Sequence, residues 1–112
     1  LIDRQKVIHG GEVDLENLFI APTVLQNVSW QDPVMQEEIF GPLLPILIFE
    51  NMDEVLSAVR QRPKPLAAYL FSRSSMIQRK FIDSLSFGGG CINDVILHLS
   101  NPHLPFGGVG DS

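Results

Sequence analysis

The sequence predicts an α/β fold in which strands alternate with helices. Apolar runs alternate with two segments of helical periodicity, which gives the order strand, helix, strand, helix, strand over residues 43–97. That order is typical of βαβ units, whose strands run parallel and are joined by right-handed crossovers. Hydrophobic residues make up 45% of the 112 residues and charged residues 19%, a composition that favours a globular chain with a modest core.

Three apolar runs in the first half of the chain predict strands: residues 6–9, 19–25 and 43–49. Pro22 lacks a backbone donor, so we expect the second strand to lie at a sheet edge or to be kinked. The polar residues 12–17 predict a loop. Asp32-Pro33 marks a turn or a helix start, and residues 34–38 have the pattern of one short helical turn.

The first clear helix is predicted over residues 52–61. Its apolar residues recur at i, i+3, i+4 and i+7 and form one stripe: Met52, Val55, Leu56 and Val59. Asn51 is suited to cap the helix, and Glu54, three residues later, completes an arrangement like a capping box. Pro63 and Pro65 are expected to end the helix.

A second helix is predicted to begin at Ser74 or Ser75. Its apolar face carries side chains four residues apart: Ile77, Phe81 and Leu85. We expect the glycines 88–90 to end this helix, because glycine commonly follows the last helical turn.

Apolar runs at residues 66–71 and 91–97 predict the strands on either side of the second helix. Residues 100–112 are rich in Pro and Gly and predict a loop. Ligands of parallel sheets bind beyond the carboxyl ends of the strands. We therefore expect functional residues in the loops that follow strands.

The charge balance argues against a nucleic-acid or membrane partner. Eight Lys and Arg stand against thirteen Asp and Glu, which gives a net charge of −5, and the basic residues are scattered. A nucleic-acid footprint needs basic residues gathered on one face. No apolar run approaches the roughly 18–20 residues of a membrane span.

Cys91 is the single cysteine, so no disulfide can form within the chain, and a reducing, cytoplasmic compartment is expected. An activated thiol needs a depressed pKa or an adjacent base. Cys91 lies in an apolar strand pattern without a basic residue near it in the sequence, which favours a structural thiol. His9, His98 and His103 do not have the spacing of metal ligands.

Five ordered segments resemble the aldehyde dehydrogenase family: Pro22-Thr23-Val24, Glu37-Glu38-Ile39-Phe40-Gly41-Pro42, Leu66-Ala67-Ala68-Tyr69-Leu70-Phe71, Cys91-Ile92-Asn93-Asp94 and Asn101-Pro102-His103-Leu104-Pro105-Phe106-Gly107-Gly108-Val109-Gly110. The fourth segment, followed by Asn101-Pro102, is most similar to the class 3 (dimeric) branch. One tetrapeptide is weak support, whereas five segments in order at family-like spacing are strong support.

The resemblance implies part of a Rossmann-like three-layer catalytic domain with a mostly parallel sheet. Residues 1–112 would be a C-terminal portion of that domain, truncated at both ends. It implies oxidation of an aldehyde to a carboxylic acid with NAD or NADP, in a protein that is a homodimer at full length. The family's nucleophilic cysteine and general base lie in segments that these residues lack. We therefore expect the isolated chain to be inactive and its partners to be the missing parts of the parent enzyme.

Glu38 and Phe40 are the cofactor-binding residues that the resemblance implies. In the family, the glutamate two residues before the Phe-Gly-Pro step accepts hydrogen bonds from the nicotinamide ribose, and the phenylalanine forms an apolar wall. An ionised carboxylate has acceptor sites for two vicinal hydroxyls. The sequence pattern alone favours a solvated acidic pair for Glu37 and Glu38 at a helix end. It favours ordinary core packing for Phe40, a role that is compatible with a pocket wall.

Phe106 and Asn93 are the substrate-binding residues that the resemblance leads us to expect. In the family, the phenylalanine of the Pro-Phe-Gly-Gly step lines the tunnel through which the aldehyde reaches the nucleophile. The alternative for Phe106 is a mobile glycine-rich surface loop. Asn93 alternates with Cys91 along a strand, so both should face one side, where Asn93 either bonds the substrate loop or is a satisfied buried amide.

A function of another class stays open, namely a non-catalytic structural or interaction module. Half of an α/β domain exposes apolar surface where its missing strands should lie. Such a piece is expected to self-associate or to seek a partner.

Overall fold

A computed structural model describes residues 1–110 and 112, and the chain divides into two compact units, Leu1–Ile48 and Phe49–Ser112. The strands are β1 (Val7–His9), β2 (Val13–Asp14), β3 (Phe19–Ile20), β4 (Thr23–Leu25), β5 (Leu43–Pro45), β6 (Ala67–Leu70) and β7 (Gly89–Ile92). The helices are α1 (Met52–Arg60) and α2 (Ser75–Ser84), with 3-10 turns at Arg4–Lys6, Pro33–Met35 and Leu97–Ser100.

The first unit contains a three-stranded sheet in the order β1-β4-β5 and a β2–β3 hairpin. Strand β4 is antiparallel to β1 and parallel to β5. Side chains alternate between the faces of a strand, so Thr23 and Leu25 are both buried. Leu25 packs with Val28 and Val34 in the core of this unit, and the Thr23 hydroxyl donates to the Ala21 carbonyl oxygen (2.7 Å).

The strand predictions for the first unit need three corrections. The predicted loop 12–17 contains β2, which pairs with β3. The predicted strand 19–25 is two strands that separate at residues 21–22, so the kink expected at Pro22 is confirmed. The predicted strand 43–49 ends at Pro45, although the Ile46 N–H still donates to the Leu25 carbonyl oxygen (2.8 Å).

The second unit is built on a β6–α2–β7 crossover in which the two strands are parallel, with Ala67 opposite Gly89 and Leu70 opposite Ile92. One face of the strand pair packs on the helices through a core of Leu56, Leu70 and Phe81. The β4–β5 and β6–β7 pairs are parallel, and the α/β class is confirmed.

The start of α1 has the predicted arrangement. The Glu54 N–H donates to Asn51 Oδ1 (3.0 Å), and Asn51 Nδ2 donates to Glu54 Oε1 (2.8 Å). Ser74 caps α2 by accepting from the Ile77 N–H (3.4 Å). Both helix starts depend on contacts between neighbours in the sequence, which explains why local patterns predict them.

The last strand lies earlier in the chain than predicted. We expected a strand over residues 91–97 and glycines that end the second helix, but α2 ends at Ser84 and β7 begins at Gly89. These glycines are needed for close approach: a Cβ at Gly88 would lie 2.5 Å from the Leu66 carbonyl oxygen, and one at Gly90 2.5 Å from that of Ala68.

Over residues 1–110 and 112, the helices are all too short or too polar to cross a membrane.

Candidate functional site

Glu38 and Phe40 lie on a loop, residues 36–42, between the 3-10 turn Pro33–Met35 and β5. The residue between them, Ile39, is half-buried and packs on the core of the first unit. Glu38 is exposed, and 90% of the Phe40 surface is exposed. The loop therefore presents a carboxylate and a phenyl ring to the surroundings while the residue between them anchors it.

Phe40 adopts a backbone conformation that bulky residues avoid, with φ of 41°. Such a conformation costs on the order of 1–3 kcal/mol and persists only where the surroundings enforce it. Here the Leu43 N–H donates to the Gly41 carbonyl oxygen (2.9 Å), and the Thr23 N–H donates to the Pro42 carbonyl oxygen (2.8 Å). Because Phe40 is 90% exposed, it does not belong to the core of the first unit, contrary to the core interpretation.

The loop lies next to the amino ends of the parallel β4–β5 pair, because it leads directly into Leu43, whose partner is Thr23. We expected functional residues directly after strands. Glu38 and Phe40 lie instead at the end of the crossover from β4 to β5. Only the register of the two strands reveals this.

Asp32 fixes the beginning of the turn that precedes Glu38. Its carboxylate forms an ion pair with Lys6 and accepts a hydrogen bond from the Ser29 hydroxyl (2.8 Å). The hydrogen bond from Lys6, followed by that from Ser29, lowers the pKa of the Asp32 carboxyl from its ordinary value of 3.8.

Asn93 directly follows β7 and joins the carboxyl ends of β6 and β7. Its Oδ1 accepts a hydrogen bond from the Ser72 N–H (2.8 Å), and its Nδ2 donates to the Ser72 carbonyl oxygen (3.0 Å). Its backbone N–H donates to the Leu70 carbonyl oxygen (2.7 Å). Asn93 has φ of 57°, so the strand alternation that we expected to align it with Cys91 stops at Ile92. The amide is satisfied, as predicted, but it is exposed rather than buried.

Phe106 lines a cavity of about 300 Å³ on the face of β6 and β7 opposite the helices. The lining is mostly apolar and consists of Leu66, Ala67, Tyr69, Gly89, His98, Leu99, Asn101, Leu104, Pro105, Phe106 and Gly107. The Phe106 side chain is 89% exposed, but the loop behind it is packed, because a Cβ at Gly88 would meet the Gly107 carbonyl oxygen at 2.5 Å.

A contact that sequence reasoning missed joins Cys91 and His98. Cys91 Sγ lies 3.8 Å from His98 Nδ1, and the His98 ring lies 5.7 Å from the Tyr69 ring between centroids. A Cβ at Gly89 would overlap the imidazole, so the absence of a side chain there makes room for His98. The chain turns at Asn93 and brings His98 back next to β7. The predicted strand over residues 91–97 would have carried His98 away from Cys91, so the sequence did not predict this contact.

The predicted site residues therefore fall into two sets, one in each unit. Glu38 and Phe40 share one loop of the first unit, and Asn93 and Phe106 belong to the second. Among residues 1–110 and 112, no group of three or more His, Cys, Asp or Glu side chains is placed to hold a metal ion.

Comparison with known proteins supplies the context for these two sets. The chain is 52% identical to the dimeric NADP-preferring aldehyde dehydrogenase of Rattus norvegicus over 112 residues, which are 100% of this chain and 25% of that protein. It is similar to a substrate-bound Staphylococcus aureus AldH structure, with a TM-score of 0.90 and 50% identity over 96% of this chain and 23% of that one. A Thermus 1-pyrroline-5-carboxylate dehydrogenase structure with bound NAD gives a TM-score of 0.80 and 30% identity over 92% of this chain and 20% of that one.

These likenesses confirm the predicted Rossmann-like α/β class and the resemblance to the dimeric branch. The chain spans about a quarter of the length of the rat relative. The sequence profile of the aldehyde dehydrogenase family matches residues 3–112. With nearly every residue inside that match, the chain belongs to the aldehyde dehydrogenase family.

Proposed function

We propose that this chain is a C-terminal portion of an enzyme that oxidises an aldehyde to a carboxylic acid with NAD or NADP. The observation that carries the proposal is the loop on which Glu38 and Phe40 stand exposed on either side of the anchored Ile39. The rat relative is named as NADP-preferring, and the Thermus structure holds NAD.

The residues of this loop fit a nicotinamide nucleotide. Glu38 is exposed and has acceptor sites for two neighbouring ribose hydroxyls. Phe40 offers an exposed apolar surface on a backbone that is held in a strained conformation, which suits a wall beside the nicotinamide. The cofactor supplies the hydride acceptor when bound, and the task of these two side chains is to bind and orient it.

Phe106 is proposed to line the path of the aldehyde, since it borders a largely apolar cavity of about 300 Å³. A cavity of this size and lining suits the apolar part of a small molecule. Asn93 is proposed to support the substrate side of the same unit, because it ties together the loops that follow β6 and β7.

The isolated chain is proposed to lack activity and measurable NAD binding, because the nucleophilic cysteine, the general base and the dinucleotide-binding domain belong to segments that the resemblance places outside it. The complete protein, called the parent enzyme below, is proposed to be a homodimer, since the name of the rat relative calls that protein dimeric. Turnover of an aldehyde by the purified chain, lost in Cys91→Ser, would contradict this division of roles.

Steady-state kinetics of the parent enzyme test the assignment of Glu38. We expect Glu38→Gln to raise the KM for NAD or NADP about 10- to 150-fold while leaving the KM for the aldehyde within about twofold. A charge-assisted hydrogen bond contributes on the order of 1.5–3 kcal/mol, and about 1.4 kcal/mol corresponds to a factor of ten. Glu37→Gln is the matched control, because Glu37 is also exposed and its substitution removes the same charge from the same loop. Equal effects of the two substitutions would mean that only the charge of the loop matters and would remove Glu38 from the site.

A second candidate function, a non-catalytic interaction module, is favoured by the large apolar side chains that the chain exposes, among them Leu18, Ile48 and Met76. Gel filtration and thermal melting of the isolated chain distinguish the two. A sharp melt with one defined species, monomer or small oligomer, indicates an independent module, whereas a broad melt with aggregation indicates a piece separated from its neighbours.

A further inference from the structure

The ion pair between Lys6 and Asp32 joins residues that are 26 positions apart in the first unit. Their side chains are only 25% and 19% exposed. The ion pair between Lys80 and Asp53, in the second unit, has side chains that are 44% and 72% exposed. Fully exposed pairs contribute little, whereas covered pairs are screened less by salt and are held in one geometry. The Lys6–Asp32 pair is therefore the better suited of the two to fix a position.

Lys6 is itself fixed to the sheet. Its carbonyl oxygen accepts a hydrogen bond from the N–H of Gln26 (2.8 Å), the residue that follows β4. Its own N–H donates to the Asp3 carbonyl oxygen (3.0 Å) within the 3-10 turn. The ammonium group is thus carried by a backbone that is bonded to the central strand of the first unit.

Asp32 transmits this anchoring to the next turn. Its carbonyl oxygen accepts from the Met35 N–H (2.9 Å) and from Gln36 Nε2 (3.3 Å), while its side chain holds Lys6 and Ser29. The turn that it begins, Pro33–Met35, places Val34 in the core.

Glu38 follows this turn after two exposed residues. On its far side it is secured by Ile39 in the core and by the Pro42 carbonyl oxygen, which accepts from the Thr23 N–H. On its near side the Lys6–Asp32 pair links the start of the turn to Lys6, whose backbone is hydrogen-bonded beside β4. We propose that Lys6 and Asp32 are positioning residues for the cofactor-binding carboxylate of Glu38, acting through the turn Pro33–Met35. This inference rests on the proposed function.

The experiment is a set of single and double substitutions in the parent enzyme, read by steady-state kinetics and by fluorescence titration with NADH or NADPH. We expect Lys6→Met to raise the KM for the cofactor about tenfold, with the KM for the aldehyde changed less than about twofold, and Lys6→Arg to restore the cofactor KM because it keeps the cation. Lys80→Met removes a cation from an exposed pair and serves as the matched control, which is expected to leave both constants unchanged.

A double substitution distinguishes positioning from general stability. If Lys6 acts through Glu38, adding Lys6→Met to Glu38→Gln raises the cofactor KM less than about twofold further, because coupled residues are not additive. Fully multiplied effects would overturn the inference, as would a Lys6→Met variant that melts at a lower temperature and loses affinity for both substrates alike.

The two proposals fail in different ways. A cofactor KM that rises in Glu38→Gln and stays unchanged in Lys6→Met would leave the proposed function standing and overturn the positioning role. A cofactor KM unchanged in Glu38→Gln would overturn the assignment of Glu38 and, with it, the positioning role of Lys6 and Asp32.

Discussion

Replacing Asn93 by alanine tests how the carboxyl ends of β6 and β7 are held together. The substitution removes two hydrogen bonds to the backbone of Ser72 and leaves a residue without a polar side chain at φ of 57°. Because Asn93 is exposed, each hydrogen bond is expected to contribute at the low end of the usual range, about 0.5 kcal/mol. The left-handed conformation costs alanine about 1–2 kcal/mol. We therefore expect a local destabilisation of about 2–3 kcal/mol.

Hydrogen exchange of the native parent enzyme measures this effect where it acts. The Ser72 amide donates to Asn93 Oδ1, so a peptide that contains Ser72 should exchange about 30- to 150-fold faster in Asn93→Ala, the ratio that corresponds to this free energy. Asn93→Asp keeps an acceptor for the Ser72 N–H, loses only the bond to the Ser72 carbonyl oxygen and tolerates the left-handed conformation, so we expect it to lose only about 0.5 kcal/mol. Equal acceleration in the two variants, or none in Asn93→Ala, would refute this account of Asn93.

Two further predictions concern the cores and the pH dependence. In the parent enzyme, Leu56→Ala should lower the free energy of unfolding by about 2–5 kcal/mol, because Leu56 is only 2% exposed. Urea unfolding of this variant, compared with the exposed control Met76→Ala, measures the difference. The lowered pKa of Asp32 means that its ionised form stabilises the fold at neutral pH and that this contribution disappears as the pH falls below 3.8 and through the lowered pKa. Asp32→Asn should accordingly make the stability of the parent enzyme, followed by circular dichroism, depend less on pH in the acid range, and unchanged acid unfolding in this variant would contradict the stabilising contribution of ionised Asp32.

Local signals predicted the helices well, and the reason lies in their capping. Asn51 and Glu54 are three residues apart, and the stripe of α1 lies within two turns, so every contact that starts the helix is present in a short window of sequence. The same holds for Ser74 and Ile77 at the start of α2. Tertiary contacts then bury Leu56 and Phe81 on the faces that the periodicity indicates.

The glycines 88–90 had no such local explanation. A glycine run after a helix usually signals helix termination, but these residues make close approaches to Leu66, Ala68 and His98, which lie nine to twenty-two residues away. No short stretch of sequence around the run contains all of those partners. The need for glycine at these positions is set by the register of β6 on β7 and by the position of the 3-10 turn Leu97–Ser100. Both depend on tertiary structure.

The candidate site shows the same division between local chemistry and tertiary placement. The resemblance selects Glu38 and Phe40 as residue types, but it does not say how two exposed side chains two positions apart are kept away from the core. The structure answers through Ile39, which packs inward between them, and through φ of 41° at Phe40. Glu38 and Phe40 are exposed, whereas Ile39 between them packs on the core. The position of the Glu38 backbone therefore depends on the packing of Ile39. The backbone that carries Glu38 is held on its far side by Ile39 and by the hydrogen bond from Thr23 to the Pro42 carbonyl oxygen, so less backbone freedom is left to lose when a ligand binds, which favours affinity.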